Sequence, residues 1–297
     1  MDNTRKFPLI LSSFWLKVIA LLTMTIDHVG FMLEGNYAYD WLPELAHIFR
    51  IIGRIALPLF CFMIAEGALR TKNFKKYALR LGIMASVISI GLIGAEYIPG
   101  IGSMRNQGII FVDLLLGATA IYCLRQKKWY IKLLAILPLL YGIASFIASS
   151  LESCGCHGNI LWFPFFMRTQ YGWYAILLCI LFYLANLCAK VFISYLSGLT
   201  GINEENYKDS NIERHAINII SVIGLVACAI LYYLISYMMP AKYAPSMMKT
   251  QLFAMLSGAF ILLYNGKRGY NKKWFQYGSY LYYPLHLAII YLIFSII

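Results

Sequence analysis

Apolar residues run along this chain in long blocks separated by short polar punctuation. Blocks of membrane-spanning length fall at 9–34, 44–69, 77–98, 108–124, 130–150, 171–196, 214–239, 249–265 and 276–297. A hydrocarbon core about 30 Å thick requires roughly 20 apolar helical residues. The pattern therefore predicts an all-α, polytopic membrane bundle of about nine helices, within a range of eight to ten. The loop 151–170 has room for a re-entrant or interfacial piece around LWFPFF. No internal repeat is evident and no soluble domain interrupts the blocks, so residues 1–297 read as one integral-membrane domain. Arg5 and Lys6 before the first block give it the look of a signal peptide. The apolar run continues past 20 residues with no small-residue cleavage site before Asp27, which predicts a retained first helix.

Composition agrees: 61% of the residues are hydrophobic and 13% charged, against about 45–50% and about 25% in soluble domains. The net charge of +12 suggests nucleic acid until its distribution is read. Basic residues collect between the blocks, nineteen on one side (Arg5 to Lys17, Arg70 to Arg80, Arg125 to Lys132, Lys190 to Arg214, Lys267 to Lys273). Four (Arg105, Arg168, Lys242, Lys249) fall on the other. The rich side is expected in the cytoplasm, with the N-terminus inside and, after nine spans, the C-terminus outside. No basic stripe with interleaved aromatics forms a nucleic-acid groove. Of seven cysteines, five lie in apolar blocks as packing residues. Cys154 and Cys156 share a loop with His157, too small a set for a metal site of the usual spacing, so no metal is expected.

Ionisable residues inside the blocks are the chemical signal, because one charged group at the bilayer centre costs at least about 2.5–3.5 kcal/mol. His28 follows Asp27 in the first block, and imidazole is suited to general-base work near neutrality. Lys17 stands eleven positions earlier, about three helical turns and roughly 16 Å away on the same face. An anionic group held at the cytoplasmic end could thus present its far end to His28. Consecutive helical residues diverge by about 100°, so Asp27 is expected to pair with an arginine of the next helix rather than with His28. Arg50 and Arg54 share a face there, with His47 on the same stripe. Both stay charged and call for anions: Asp27, Glu34, Asp113 or a ligand. Glu66 is expected to contact substrate or to pair with Arg70 or Arg80.

Near the C-terminus, Asn265, Lys267 and Arg268 form a short basic turn suited to phosphate contact without P-loop spacing. His286 follows Pro284, whose missing N–H loosens the last helix. It is a second candidate acid/base group or ligand contact.

Several strings resemble the TraX family of membrane proteins: LKVIALLTMTIDHVG (16–30), FRIIGRIALPLFCFMIAEGALRTKNFKKYALRL (49–81), QYGWYAILLCILFYL (170–184), LLYNGKRGY (262–270) and YYPLHL (282–287). The resemblance runs in order through nearly the whole chain. One departure is Gln170–Tyr171, where such proteins often carry an acidic residue before the GWY string. The resemblance implies N-terminal acetylation of a conjugative pilin subunit. More broadly it implies transmembrane acyl transfer from cytoplasmic acyl-coenzyme A, at the cytoplasmic membrane of a bacterium. In that wider group a basic residue and a histidine stand eleven apart on the first helix, which Lys17 and His28 match. An arginine pair is matched loosely by Arg50 and Arg54.

Together these readings predict an acetyl-coenzyme A-dependent acyltransferase with no permanently bound cofactor. His28 acts as base, and Arg50, Arg54 or Asn265 steadies the oxyanion. Lys17, Lys76, Arg80, Lys267 and Arg268 hold the donor's phosphates, while Glu66, Asp113 and His286 are expected to line the acceptor side. The acceptor is an amine or hydroxyl on a peptide, glycan or small molecule. The rival class is an anion or proton transporter lined by Arg50, Arg54, Asp27 and Glu66. Retention of coenzyme A by the purified protein separates the two.

Overall fold

A computed structural model of the protein describes residues 8–34, 41–95, 97, 108–153, 163–209, 211–240 and 247–296. Among these the elements are α1 Ser13–Leu33, α2 Leu42–Gly53, α3 Ala56–Arg70, α4 Phe74–Ala95, α5 Ile110–Leu124, α6 Trp129–Leu133, α7 Ile136–Ser153, α8 Trp173–Thr200, α9 Glu204–Asp209, α10 Ile212–Met238, α11 Met247–Thr250, α12 Ser257–Leu262 and α13 Lys273–Ile296. A single parallel bridge joins Leu11 to Tyr264. Six stretches (13–33, 42–70, 74–94, 129–152, 173–200 and 212–238) are long and apolar enough to cross a membrane. Shorter apolar helices cover 110–124 and 248–262, and α13 runs 24 residues. Each of the nine expected blocks thus holds a helical segment. Of the loop 151–170, the described part forms a short 3-10 turn at Phe165–Met167. Cys154, Cys156 and His157 lie outside the described residues.

Large apolar side chains line the outside of these helices. Leu79, Ile83, Val87 and Ile90 on α4 are exposed, as are Leu133, Leu137, Leu140 and Ile147 on α6 and α7. Soluble monomers rarely leave such continuous stripes in water. The protein is a polytopic helical membrane protein, and these faces suit lipid.

Two breaks in the long helices have one cause. Pro58 and Pro138 each lack the N–H that would bond four residues back, and each ring crowds the carbonyl there. Those positions are Arg54 and Leu134, where α2 gives way to α3 and α6 to α7. At the first break the backbone tightens, with the Arg54 and Ile55 amides donating to the carbonyls of Ile51 and Ile52.

Two compact units can be distinguished within the chain: Met1–Leu59 with Leu184–Ala227 and Phe253–Ile297, and Phe60–Tyr183 with Cys228–Leu252. In the first, α1 packs on α2 and α13. A β-carbon on Gly30 would collide with Phe49, and one on Gly53 with the Asp27 side chain. Glycine at both places lets the helices approach closely enough for the arginines of α2 to reach α1. The turn 263–268 is stitched to the start of α1: Leu11, Ser13 and Phe14 donate to the carbonyls of Leu263, Lys267 and Arg268, and Asn265 donates to Leu11. Asn218 of α10 donates from Nδ2 to the Tyr264 carbonyl at 2.8 Å.

In the second unit α5 packs on α4 and α7. A small core joins Ala120 and Cys123 of α5, Ala135, and Ile176 and Ile180 of α8. Asp113, fully buried, accepts from the amides of Gln170 at 2.7 Å and Tyr171 at 3.2 Å. Arg168 pairs with Glu152 and donates to the Phe163 carbonyl.

Candidate functional site

The charged centre of the first unit is Asp27 on α1. Its carboxylate is straddled by two guanidiniums: Arg50 Nη1 donates to Oδ2 at 2.8 Å and Arg54 Nη2 to Oδ1. Arg54 Nε also donates to the Arg50 carbonyl at 3.0 Å, which ties the two arginines to each other across the Pro58 break. Arg50 Nε lies 3.2 Å from Glu34, whose side chain is 48% exposed. Among the described residues two buried guanidiniums share the buried Asp27 carboxylate, and the Glu34 carboxylate on Arg50 is half in solvent. Arginines buried this deeply call for anions, from the protein or from a ligand. Among the described residues, Arg50 has Nη1 and Nε engaged and Nη2 available. The buried stripe of α2 is Leu42, Ala46, Arg50 and Gly53. His47, expected on the arginine face, is exposed instead, since it follows Ala46 by one residue, about 100° around the helix.

His28 lies on the next face of α1. Its Nδ1 is 2.8 Å from Nε2 of His286 on α13, with ring centroids 4.9 Å apart. His286 Nδ1 in turn lies 2.8 Å from the Tyr282 carbonyl. A carbonyl only accepts, so His286 Nδ1 carries a proton. Neutral His286 then offers Nε2 as acceptor, and His28 Nδ1 must be the donor. The network thereby leaves His28 Nε2 with a lone pair, the tautomer a general base needs. The Tyr282 ring stacks on His286 at 5.0 Å, and its hydroxyl meets Thr25 Oγ1 at 2.6 Å. Since Thr25 donates to the Leu21 carbonyl, the tyrosine hydroxyl is the donor there. His28 sits fifteen residues past Ser13 and His286 thirteen past Lys273, about 22 and 20 Å along their helices. The pair is therefore level, well inside an apolar layer.

Of the residues expected to hold donor phosphates, Lys17 is half-buried with Nζ 5.6 Å from the centre of the Phe275 ring. Lys267 and Arg268 are exposed on the turn stitched to α1. Their carbonyls already receive the first amides of that helix, so anion contact there falls to side chains. Asn265 closes the turn on itself, Oδ1 accepting from the Lys267 amide at 2.8 Å. That bond uses only the acceptor oxygen and leaves the Nδ2 donors, the atoms an oxyanion role would need, outside it. Lys76 and Arg80 are exposed on α4 of the second unit. Glu66 pairs with Arg70 one turn on, as one of its two expected partners. Asp113, expected toward substrate, spends both oxygens on backbone amides and tethers the loop before α8. Among the described residues no set of three His, Cys, Asp or Glu gathers as metal ligands.

Residues 12–199 match the family described as TraX protein, well over half of the chain. The chain belongs to the TraX family. It is 36% identical over 92 residues to a "Probable fimbrial assembly protein FimC, serogroup H1" of Dichelobacter nodosus, covering 29% of this chain and 35% of that protein. It is 55% identical over 47 residues to "Uncharacterized protein RP591" of Rickettsia prowazekii (strain Madrid E), covering 16% of this chain and 15% of that one. The matched stretches thus span about a third and about a sixth of those relatives. No solved structure matches. The TraX match contains His28, Asp27, Arg50 and Arg54, while His286 lies beyond it.

Sequence reasoning missed Tyr282 and Thr25, whereas Glu34, named with Asp27 as an anion for the arginines, does meet Arg50. Both carried a signal: Tyr282 precedes His286 by four and Thr25 precedes His28 by three, spacings that share a helical face. Pro58 was a further signal for a break at Arg54.

Proposed function

We propose that this TraX-family protein is a membrane-embedded acyltransferase that moves an acetyl or short acyl group from cytoplasmic acyl-coenzyme A to an amine or hydroxyl, with His28 as general base. The observation that carries the reading is the tautomer set by the chain Tyr282 carbonyl, His286, His28, beside the buried Arg50–Asp27–Arg54 cluster. A transporter needs charges along a path; it has no need for one imidazole nitrogen kept bare and oriented.

In this reading the donor enters from the basic side, its phosphates near Lys17, Lys267 and Arg268. The acceptor X–H gives its proton to His28 Nε2 as X attacks the thioester carbonyl. As the X–C bond forms, the carbonyl π electrons move onto oxygen and the thioester carbon becomes tetrahedral, its oxyanion taking Arg50 Nη2 as donor. Collapse breaks the carbon–sulfur bond, and the proton on His28 passes to the departing thiolate. Acyl–S–CoA and H–X–R become acyl–X–R and CoA–SH. His286 positions His28 and shares the imidazolium charge through the Nδ1–H bond. Asp27 positions the arginines. The family resemblance, and the fimbrial name of one relative, favour the amino terminus of an exported protein subunit as acceptor.

The test is release of free thiol from acetyl-coenzyme A by purified protein, with a panel of peptide amines and alcohols. Turnover with at least one acceptor, lost in His28→Ala, is the expected result. Absence of both turnover and stabilisation by acetyl-coenzyme A, together with anion flux into proteoliposomes, would overturn the reading in favour of a transporter.

A further inference from the structure

In the second unit, a cleft of about 380 Å³ opens between the α3–α4 connection and the end of α5. It is lined by Thr71, Lys72, Asn73, Phe74, Lys75, Tyr122, Arg125 and Gln126. Three of the eight are cationic and none is acidic. Lys72 and Lys75 are exposed, and among the described residues neither joins an ion pair. Arg125 donates from Nη1 to the Ala68 carbonyl, which fixes its guanidinium in the wall. Phe74 and Tyr122 stack at 4.2 Å with planes 13° apart, a flat aromatic wall beside the cations. Asn73 caps α4, its Oδ1 accepting from the Lys76 amide at 3.0 Å. That places the positive end of a 22-residue helix at the cleft. The end of α5 acts in the opposite sense, but Gln126 Nε2 covers its Tyr122 carbonyl at 3.0 Å, and Arg125 adds a full charge there.

Cations without counter-ions, a rigid guanidinium, a π-stacked wall and a volume inside the roughly 300–1,000 Å³ range of small-molecule sites describe one chemistry. Phosphates need the first two, and a planar base stacks on the third. We propose that this cleft binds the adenosine diphosphate group of a nucleotide. Two sources carry that group: a free adenine nucleotide, and the head of coenzyme A, which would then meet Lys72, Lys75 and Arg125 in place of Lys17, Lys267 and Arg268. Only the second identification rests on the acyltransferase reading. The sequence drew attention to Lys76 and Arg80; the structure points the neighbouring Lys72 and Lys75 into the cleft wall, with Arg125 brought in from α5.

The experiment is titration of purified full-length protein with ADP, coenzyme A, pantetheine and inorganic phosphate, read by calorimetry. It is repeated with Lys72→Ala/Lys75→Ala, with Tyr122→Leu and with His28→Ala, and helicity is checked in each. ADP and coenzyme A should bind and pantetheine should not. The double lysine variant should weaken both by about 10- to 100-fold, Tyr122→Leu should weaken both several-fold, and His28→Ala should bind as wild type. Competition between ADP and coenzyme A identifies the donor head as occupant; independent binding of the two identifies a separate free-nucleotide site at the cleft. ADP binding through the lysines in a protein with no acyl transfer leaves this inference standing while the functional reading falls. Unchanged ADP affinity in both cleft variants overturns the inference. So does lysine-dependent binding of phosphatidylglycerol vesicles with no response to ADP, which would make the cleft a lipid-headgroup contact.

Discussion

Both units bury arginine, yet they treat it differently. In the second, Arg168 pairs with Glu152, and its Nε and Nη2 close on the Phe163 carbonyl. In the first, Arg50 and Arg54 share Asp27, and the additional carboxylate on Arg50 is half in solvent. The Arg168 pair suits holding a loop against a helix. The Arg50–Asp27–Arg54 cluster lies beside two hydrogen-bonded histidines. Buried arginine alone therefore does not mark a site. A neighbouring group able to move a proton does.

Activity should separate the two regions most sharply at His28. His28→Ala should lower acyl transfer by about 10²–10⁴-fold while acetyl-coenzyme A still stabilises the protein; wild-type-like turnover would remove this histidine from the mechanism. Arg50→Lys keeps the charge but loses the planar fork. Loss of an oxyanion donor commonly costs about 10²–10³-fold, so kcat should fall on that order with KM little changed, and an unaffected kcat would leave Arg50 structural.

Stability gives the complementary contrast. Arg168→Leu strands a buried carboxylate and should destabilise by about 3–5 kcal/mol, whereas Arg168→Leu with Glu152→Leu should recover most of that and retain turnover. The matching apolar replacement of Asp27, Arg50 and Arg54 should recover stability without activity. Thermal melts and turnover on the same preparations decide it, and activity in the triple variant would erase the distinction between the regions.

Smaller effects test positioning. His286→Gln should lower kcat by on the order of tenfold, about 1.4 kcal/mol, with donor affinity retained. His286→Leu should fall further, since it removes the acceptor for His28 Nδ1–H. Equal losses in the two would assign His286 to packing. Lys17→Ala should raise the KM for acetyl-coenzyme A a few-fold with kcat preserved, an effect fading at high salt. A change in kcat instead would place Lys17 nearer the reaction than the donor's head.

The hydrophobic blocks by themselves determined the all-helical membrane class and the order of the apolar segments, because spanning length and backbone satisfaction in lipid leave few alternatives; the prolines and loops decided how many helices those segments became. Charge in the polar gaps supplied the expected orientation. His28, Asp27, Arg50 and Arg54 were legible because ionisable groups in apolar runs are expensive, and Asp27 could be assigned to an arginine from helical angles alone. The tertiary structure decided what depends on contacts between distant segments. It set His286 against His28 from 258 positions away and fixed the tautomer through Tyr282. It turned His47 outward, gave Asp113 to a backbone loop, and closed Asn265 on its own turn. It also gathered Lys72, Lys75 and Arg125 around one cleft. Periodicity reports which face of a helix a residue occupies; which helix that face meets is set by packing, through close approaches such as Gly53 on Asp27, and no local pattern records it.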